Sequence, residues 1–236
     1  MNPTVFIAAL GLSILAGSNP GTAADTPRQM ENLGRGVVAV HQGENTVFVS
    51  WRLLGTDPDG IAFNLYRATG SAEPVKLNAE PMAKATCFQD TGVDLTRDSR
   101  YFVRPVINGL EGEMSGRFLN TIAANSAPKP YVEIPLKLPP ATWASDGSVG
   151  DLDGDGEYEI VLKGCQRPMD TSFRGITGNT ILQAYEFDGT LLWTIQMGKN
   201  IREGEHDTQF MVYDLNGDGA AEIAVRTADG SVDGTG

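Results

Sequence analysis

Two stretches of the sequence place oxygen-bearing side chains at the alternate positions that suit a hard cation. Residues 149–163 read VGDLDGDGEYEIVLK and residues 212–226 read VYDLNGDGAAEIAVR. Loop positions 1, 3 and 5 and a glutamate at position 9 are filled by Asp151, Asp153, Asp155 and Glu159, then by Asp214, Asn216, Asp218 and Glu222. Glu157 and Ala220, at position 7, complete the two metal sets. Gly154, Gly156, Gly217 and Gly219 permit the positive φ angles of a tight loop, and the closing glutamate can offer two oxygens. Carboxylates so close together repel one another without a cation. The ion this ligand set describes is calcium.

A helix-loop-helix calcium site closes with glutamate at position 12 and enters a helix. Here Glu159 and Glu222 come three residues earlier and open EIVLK and EIAVR, β-branched runs that read as strands. The expected unit is therefore strand-loop-strand, repeated about one propeller blade further on.

The elements that must position these loops follow the same grammar. Residues 146–150 lead into the first loop and 159–163 leave it, while 180–187 (TILQAYEF) and 191–197 (LLWTIQM) meet at Asp188-Gly189, a hairpin signal. That predicts one four-stranded antiparallel blade, with the next copy opening at 209–213. A blade cannot bury both faces alone and needs neighbours.

Upstream, residues 36–40, 46–51, 61–67, 87–90, 100–106 and 114–121 read as strands of a β-sandwich, separated by turn residues such as those at 57–60 and 108–109. Trp51, Tyr66 and Tyr101 are its expected large core side chains. Five prolines (Pro128, Pro130, Pro135, Pro139, Pro140) then mark a connector in which regular pairing is not expected. The apolar run at 6–17, followed by small residues up to Ala24, reads as an export signal although no Lys or Arg precedes it. The expected organisation is all-β: signal peptide 1–24, sandwich 29–122, connector 123–140 and the start of a calcium-binding propeller at 141–236.

Composition fits an exported protein. The 236 residues are 41% hydrophobic with 28 Gly, which favours short strands and many turns. A formal charge of −12 argues against nucleic acid and anionic membranes as partners. Cys87 and Cys165 stand in no metal or redox spacing and read as buried free thiols, a bridge between them being the alternative. No phosphate loop, zinc spacing or Ser-His-Asp arrangement is present.

The runs ENLGRGVVAV (31–40), VSWRLLGTD (49–57), SVGDLDGDGEYEIVLK (148–163), GKNIREGEHDTQFMVYDLNGDGAAEI (198–223) and TADGSVDGTG (227–236) together resemble the bacterial rhamnogalacturonan lyases of polysaccharide lyase family eleven. The sandwich itself resembles a fibronectin type III module. The family resemblance implies a leading β module, an eight-bladed propeller, bound calcium and secretion or periplasmic location. It also implies β-elimination of the rhamnose-(1→4)-galacturonate bond in pectin, by a protein that is a monomer when complete. A family member is more than twice this length, so the resemblance implies an N-terminal part, expected to lack activity alone.

In that chemistry a cation stabilises the uronate carboxylate and a basic side chain takes the C5 proton. The candidate catalytic residues are Lys163, which ends the strand after the first loop as Arg226 does after the second, and His206. Ser145 and Asp146 stand where relatives have Asn-Asp, and Cys165 stands in place of a substrate-contacting acid; with Lys199 and Arg202 they form the candidate substrate set. Relatives have Tyr where this chain has Asp207. The two calcium loops are expected to be structural. The competing reading is a non-catalytic, calcium-stabilised propeller for adhesion or carbohydrate binding; a hydrolase with paired carboxylates is a further one.

Overall fold

A computed structural model of the chain describes residues 31–116, 118–167, 172 and 174–234, so the export signal expected at 1–24 lies outside the described residues. Among the described residues every regular element is a strand. The first seven are β1 (Val38–Gly43), β2 (Thr46–Ser50), β3 (Ala62–Thr69), β4 (Val75–Lys76), β5 (Cys87–Asp90), β6 (Ser99–Ile107) and β7 (Leu110–Glu111). They form a three-stranded sheet ordered β1-β2-β5 and a four-stranded sheet ordered β4-β3-β6-β7.

Period-2 alternation sends Val47 and Val49 of β2, Phe63 and Leu65 of β3 and Tyr101 and Val103 of β6 into one core. Trp51 caps that core, edge-on to Phe63 with ring centroids 5.7 Å apart. Burying each such side chain contributes on the order of 1.5–3 kcal/mol. The same alternation corrects the expectation for Tyr66: with Phe63 and Leu65 inward, Tyr66 points to the outer face, where it stacks on its cross-strand partner Phe102.

The described residues of 114–121, expected as a strand, are irregular. Side chains replace the ladder there. The Val103 N–H donates to Ser115 Oγ at 3.0 Å while the Val103 carbonyl accepts from Ser115 N at 2.8 Å. Asn120 likewise closes both backbone groups of Ala39, on the opposite sheet, at 3.0 and 2.6 Å. Backbone groups satisfied by side chains have no need of a partner strand.

The connector is more tightly held than its prolines suggest. Lys129 makes an isolated bridge to His41 of β1, its N–H 2.8 Å from the His41 carbonyl. At the far end Lys137 N–H donates to Tyr185 Oη at 2.9 Å. Both cysteines are free; Cys165 is buried as expected, whereas Cys87 is exposed.

Four further strands, β8 (Trp143–Gly150), β9 (Glu159–Cys165), β10 (Ile181–Tyr185) and β11 (Leu191–Gln196), form one antiparallel sheet in the order β11-β10-β9-β8. Gly189, at φ 86°, makes the hairpin turn between β10 and β11. β12 (Phe210–Tyr213) and β13 (Glu222–Val225) pair as a second, two-stranded sheet. Its Val212, Phe210 and Ile223 pack on Val161, Ala184 and Leu182 of the first. Gly150 allows the close approach: a Cβ there would stand 2.6 Å from Val212 Cγ1 and 2.7 Å from the Ala221 Cβ.

In the sandwich, Arg35 grips Asp57 with two parallel bonds of 2.6 and 2.7 Å, and Leu54 N–H adds a third at 2.7 Å. The Arg35 guanidinium, ahead of the Leu54 N–H, holds the Asp57 carboxyl below the usual carboxylate range against the opposing effect of burial. A depressed folded-state pKa gives stability that is present above the unfolded value of about 4 and is lost as pH falls through the folded value. The melting temperature of the sandwich should therefore decline below about pH 4, and the decline should be shallower in Asp57→Asn, as a calorimetric pH series would show.

Candidate metal loops and the polar cluster beside them

The two loops share one hydrogen-bond frame. Asp151 accepts three backbone N–H groups, from Gly154 (2.7 Å) and Asp155 (3.0 Å) on Oδ1 and from Gly156 (2.9 Å) on Oδ2. Asp214 does the same with Gly217 (2.6 Å), Asp218 (3.2 Å) and Gly219 (3.0 Å). The closing glutamates turn back alike: Leu152 N–H donates to Glu159 Oε2 at 2.6 Å, and Leu215 N–H to Glu222 Oε2 at 2.8 Å. Positive φ angles at Gly154, Gly156, Gly217 and Gly219 make these turns possible.

In the first loop, ligand oxygens of Asp151, Asp153 and Glu159 lie within 4.8 Å of one another. Glu159 is wholly buried, and its Oε1 has no hydrogen-bond partner. Without a cation, burial in the first place, then the charges of Asp153, Glu186 and Asp151, push the Glu159 carboxyl up to about 7. An orphaned, buried carboxylate oxygen aimed at two further carboxylates is a fit for a hard divalent ion, which would hold it in its charged form.

The remaining expected ligands are placed differently. Asp155 Oδ1 accepts from Glu157 N–H at 2.9 Å and lies outside the converging trio. The Glu157 carboxylate turns away from the loop to Arg52. In the second loop the Asn216 amide donates to Glu222 Oε1 (2.7 Å) and Asp218 Oδ2 (3.1 Å), so an N–H already satisfies these carboxylates. Ala220 N–H donates to Asp218 Oδ1 at 3.0 Å.

The first loop is also a junction between domains. Asp151 N–H donates to Glu31 Oε1 at 2.9 Å, and the Asp151 carbonyl accepts from Ala221 N–H at 2.6 Å. Gly34 N–H donates to the Gly156 carbonyl at 2.6 Å, so residues 31–34 lie along the loop. There is no room for side chains: a Cβ on Gly156, itself at φ 93°, would stand 3.0 Å from the Asn32 carbonyl oxygen and 3.2 Å from Gly34 N. Arg52 completes the contact by donating to Glu157 Oε2 at 3.3 Å and lying 4.3 Å over the Tyr158 ring.

A second polar cluster is built at the start of β8. The β8–β9 register shifts between Ala144 and Gly147, so Ser145 and Asp146 occupy a β-bulge. Bulges re-aim side chains and break pairing locally. Asp146 is thereby turned onto Lys163 of β9, with Oδ2 2.5 Å from Nζ. Lys163 is wholly buried, unlike Arg226, which is exposed beyond the end of β13. Its ammonium also donates to the carbonyls of Glu205 (3.0 Å) and Asp207 (2.9 Å). Cys165, buried in the same strand, has its thiol pushed up by burial, with Lys163, the Gly204 backbone and the Ser145 side chain acting the other way.

Of the sequence-predicted set, Ser145, Asp146, Lys163, Cys165 and Arg202 gather around residues 203–207, with exposed His206 on that segment. Lys199 is exposed on the turn after β11 and pairs with none of the described residues. Glu203 was not singled out by the sequence. It is buried and accepts from the N–H groups of Gln166, Arg167 and Gly178, so it pins the segment after β9 to the segment after β11. Only its place among charged neighbours in REGEHD could have drawn attention to it.

Residues 28–119 match the rhamnogalacturonan I lyase β-sheet domain, and residues 138–236 match the C-terminal domain of rhamnogalacturonan lyase family 11. The chain is 45% identical over 228 residues to rhamnogalacturonan endolyase YesW of Bacillus subtilis, covering 92% of this chain and 34% of the relative. It is 46% identical over 220 residues to rhamnogalacturonan exolyase YesX of the same organism, covering 89% and 34%. Among solved structures, that of the exotype lyase YesX is similar with a TM-score of 0.74 at 45% identity, covering 89% of this chain and 34% of that one. Bacillus licheniformis rhamnogalacturonan lyase PL11 is similar with a TM-score of 0.73 at 47% identity, covering 89% and 35%. The chain thus spans about a third of the length of the curated relatives it matches.

Proposed function

We propose, for a chain whose two matched domains are both those of rhamnogalacturonan lyases, a secreted, calcium-dependent lyase that acts on the rhamnogalacturonan backbone of pectin by β-elimination. The observation that carries this reading is the identity of 45% over 228 residues to a rhamnogalacturonan lyase, an alignment that covers 92% of this chain.

The residues divide into two tasks. Asp151, Asp153 and Glu159 would hold one calcium ion, and Asp214, Asn216, Asp218 and Glu222 a second once the Asn216 amide presents its oxygen. Calcium bound there would supply rigidity and neutralise loop charge, because these ligands are drawn from the turns between strands. Near the bulge, Ser145, Asp146 and Arg202 would bind and orient the sugar chain, and the exposed imidazole of His206 would take the C5 proton. The protein is acidic and so is a polyuronate; filling both loops lowers that repulsion.

The test is incubation with rhamnogalacturonan and measurement of ultraviolet absorbance from the unsaturated uronate. Product that appears with calcium and stops on chelation supports the reading. Reducing ends without that absorbance would point to hydrolysis and overturn it.

A further inference from the structure

We infer that Lys163 is a positioning residue: its buried ammonium fixes residues 205–207, and with them the exposed imidazole of His206, beside the bulge at Ser145 and Asp146. The inference rests on the proposed lyase reading for its meaning, while its geometry stands without it.

An ammonium has three donors and no lone pair. All three are committed here, to Asp146 Oδ2 and to the carbonyls of Glu205 and Asp207, and no part of the side chain meets solvent. A proton acceptor must reach the substrate, and this nitrogen does not. The two carbonyls it holds flank His206 on either side, so the chain on both sides of that residue is tied to β9.

Other bonds tighten the same segment. Arg202 Nε donates to Asp207 Oδ2 at 3.1 Å, and Thr208 Oγ1 donates to the Arg202 carbonyl at 2.6 Å. Thr208 sits at φ 55°, a left-handed conformation unfavourable for a β-branched residue. Such backbone persists only where the surroundings over-determine it. Glu203 anchors the beginning of the segment through three backbone N–H groups. The outcome is a short loop held at its start, middle and end, from which only Glu205 and His206 are exposed between residues 202 and 208.

The chain has two histidines, and His41, buried in the sandwich, is an internal reference. Nuclear magnetic resonance on isotope-labelled histidine is to be compared between the chain and Lys163→Met. The His206 ring should lose its dispersed, ordered signal and move toward the free-histidine position, while His41 stays unchanged. An unchanged His206 would overturn the inference. If Lys163→Met does not fold, Lys163→Gln decides: its amide can still donate to one or both carbonyls, and His206 should keep part of its order.

A second arm separates positioning from proton transfer. On rhamnogalacturonan, Lys163→Met should lower kcat on the order of 100-fold, the scale of an ångström-sized misplacement, with the limbs of the pH profile kept. Loss of a limb in that variant would make Lys163 the base and overturn the inference. Where the chain by itself releases no unsaturated product, as expected of about a third of its relatives' length, the resonance arm alone decides the positioning role.

Discussion

Chelation of divalent cations lowers the melting temperature of the propeller sheets by roughly 10 °C or more and leaves the sandwich transition nearly in place. Each loop saturated at 100-fold over its Kd contributes about 2.7 kcal/mol to the folded state. A domain of this size loses about 4–8 °C per kcal/mol. The loops sit between β8 and β9 and between β12 and β13, whereas the sandwich core draws on neither. Differential scanning calorimetry with and without chelator reads the effect directly. A single transition that ignores the chelator would remove calcium from the proposed function.

The larger single-residue effect is expected at Asp151. Replacing it by alanine takes an acceptor from the N–H groups of Gly154, Asp155 and Gly156, of which Asp155 keeps Asp153 Oδ1 and only Gly156 is buried, and removes one ligand from the converging trio. A buried donor left unpaired costs about 1–3 kcal/mol, so the loss should be on the order of 1–3 kcal/mol in chelator and larger with calcium bound. Asp151→Asn keeps an acceptor oxygen and should cost less in chelator. Asp214→Ala breaks the same local frame, but its Gly219 donor is only half-buried where Gly156 is buried, and it should cost less than Asp151→Ala. Denaturant titration of the three variants gives the order; equal costs at the two aspartates would show that the deeper burial of the first loop contributes nothing.

Strand content and the loops were legible because local patterns determine them. DLDGDG and DLNGDG specify turns by glycine and aspartate chemistry, and alternation around them specifies strands. What escaped is what depends on partners far along the chain. Nothing local marks Gly34 as the residue that lies against Gly156, or Ser115 and Asn120 as substitutes for a sheet ladder. Tyr66 was misplaced because β3 carries large apolar groups on both faces, and only Phe63 and Leu65 reveal which face is inward. Lys163 looked like a strand-end cation; the bulge that turns Asp146 onto it is a register feature invisible in composition.

The bond between Glu31 and Asp151 spans 120 positions and fastens a segment that precedes β1 to a loop that follows β8. Contacts of such separation form late, because the intervening chain must first give up its freedom. During synthesis from the N-terminus, the sandwich strands would already be able to collapse before Asp151 leaves the ribosome. Residues 31–34 would then wait, extended, for their groove. The seam between the two modules is thus the last part of this region to close and the first to open, and conditions that slow maturation of the loop prolong the life of a species with its sandwich finished and its leading edge undocked.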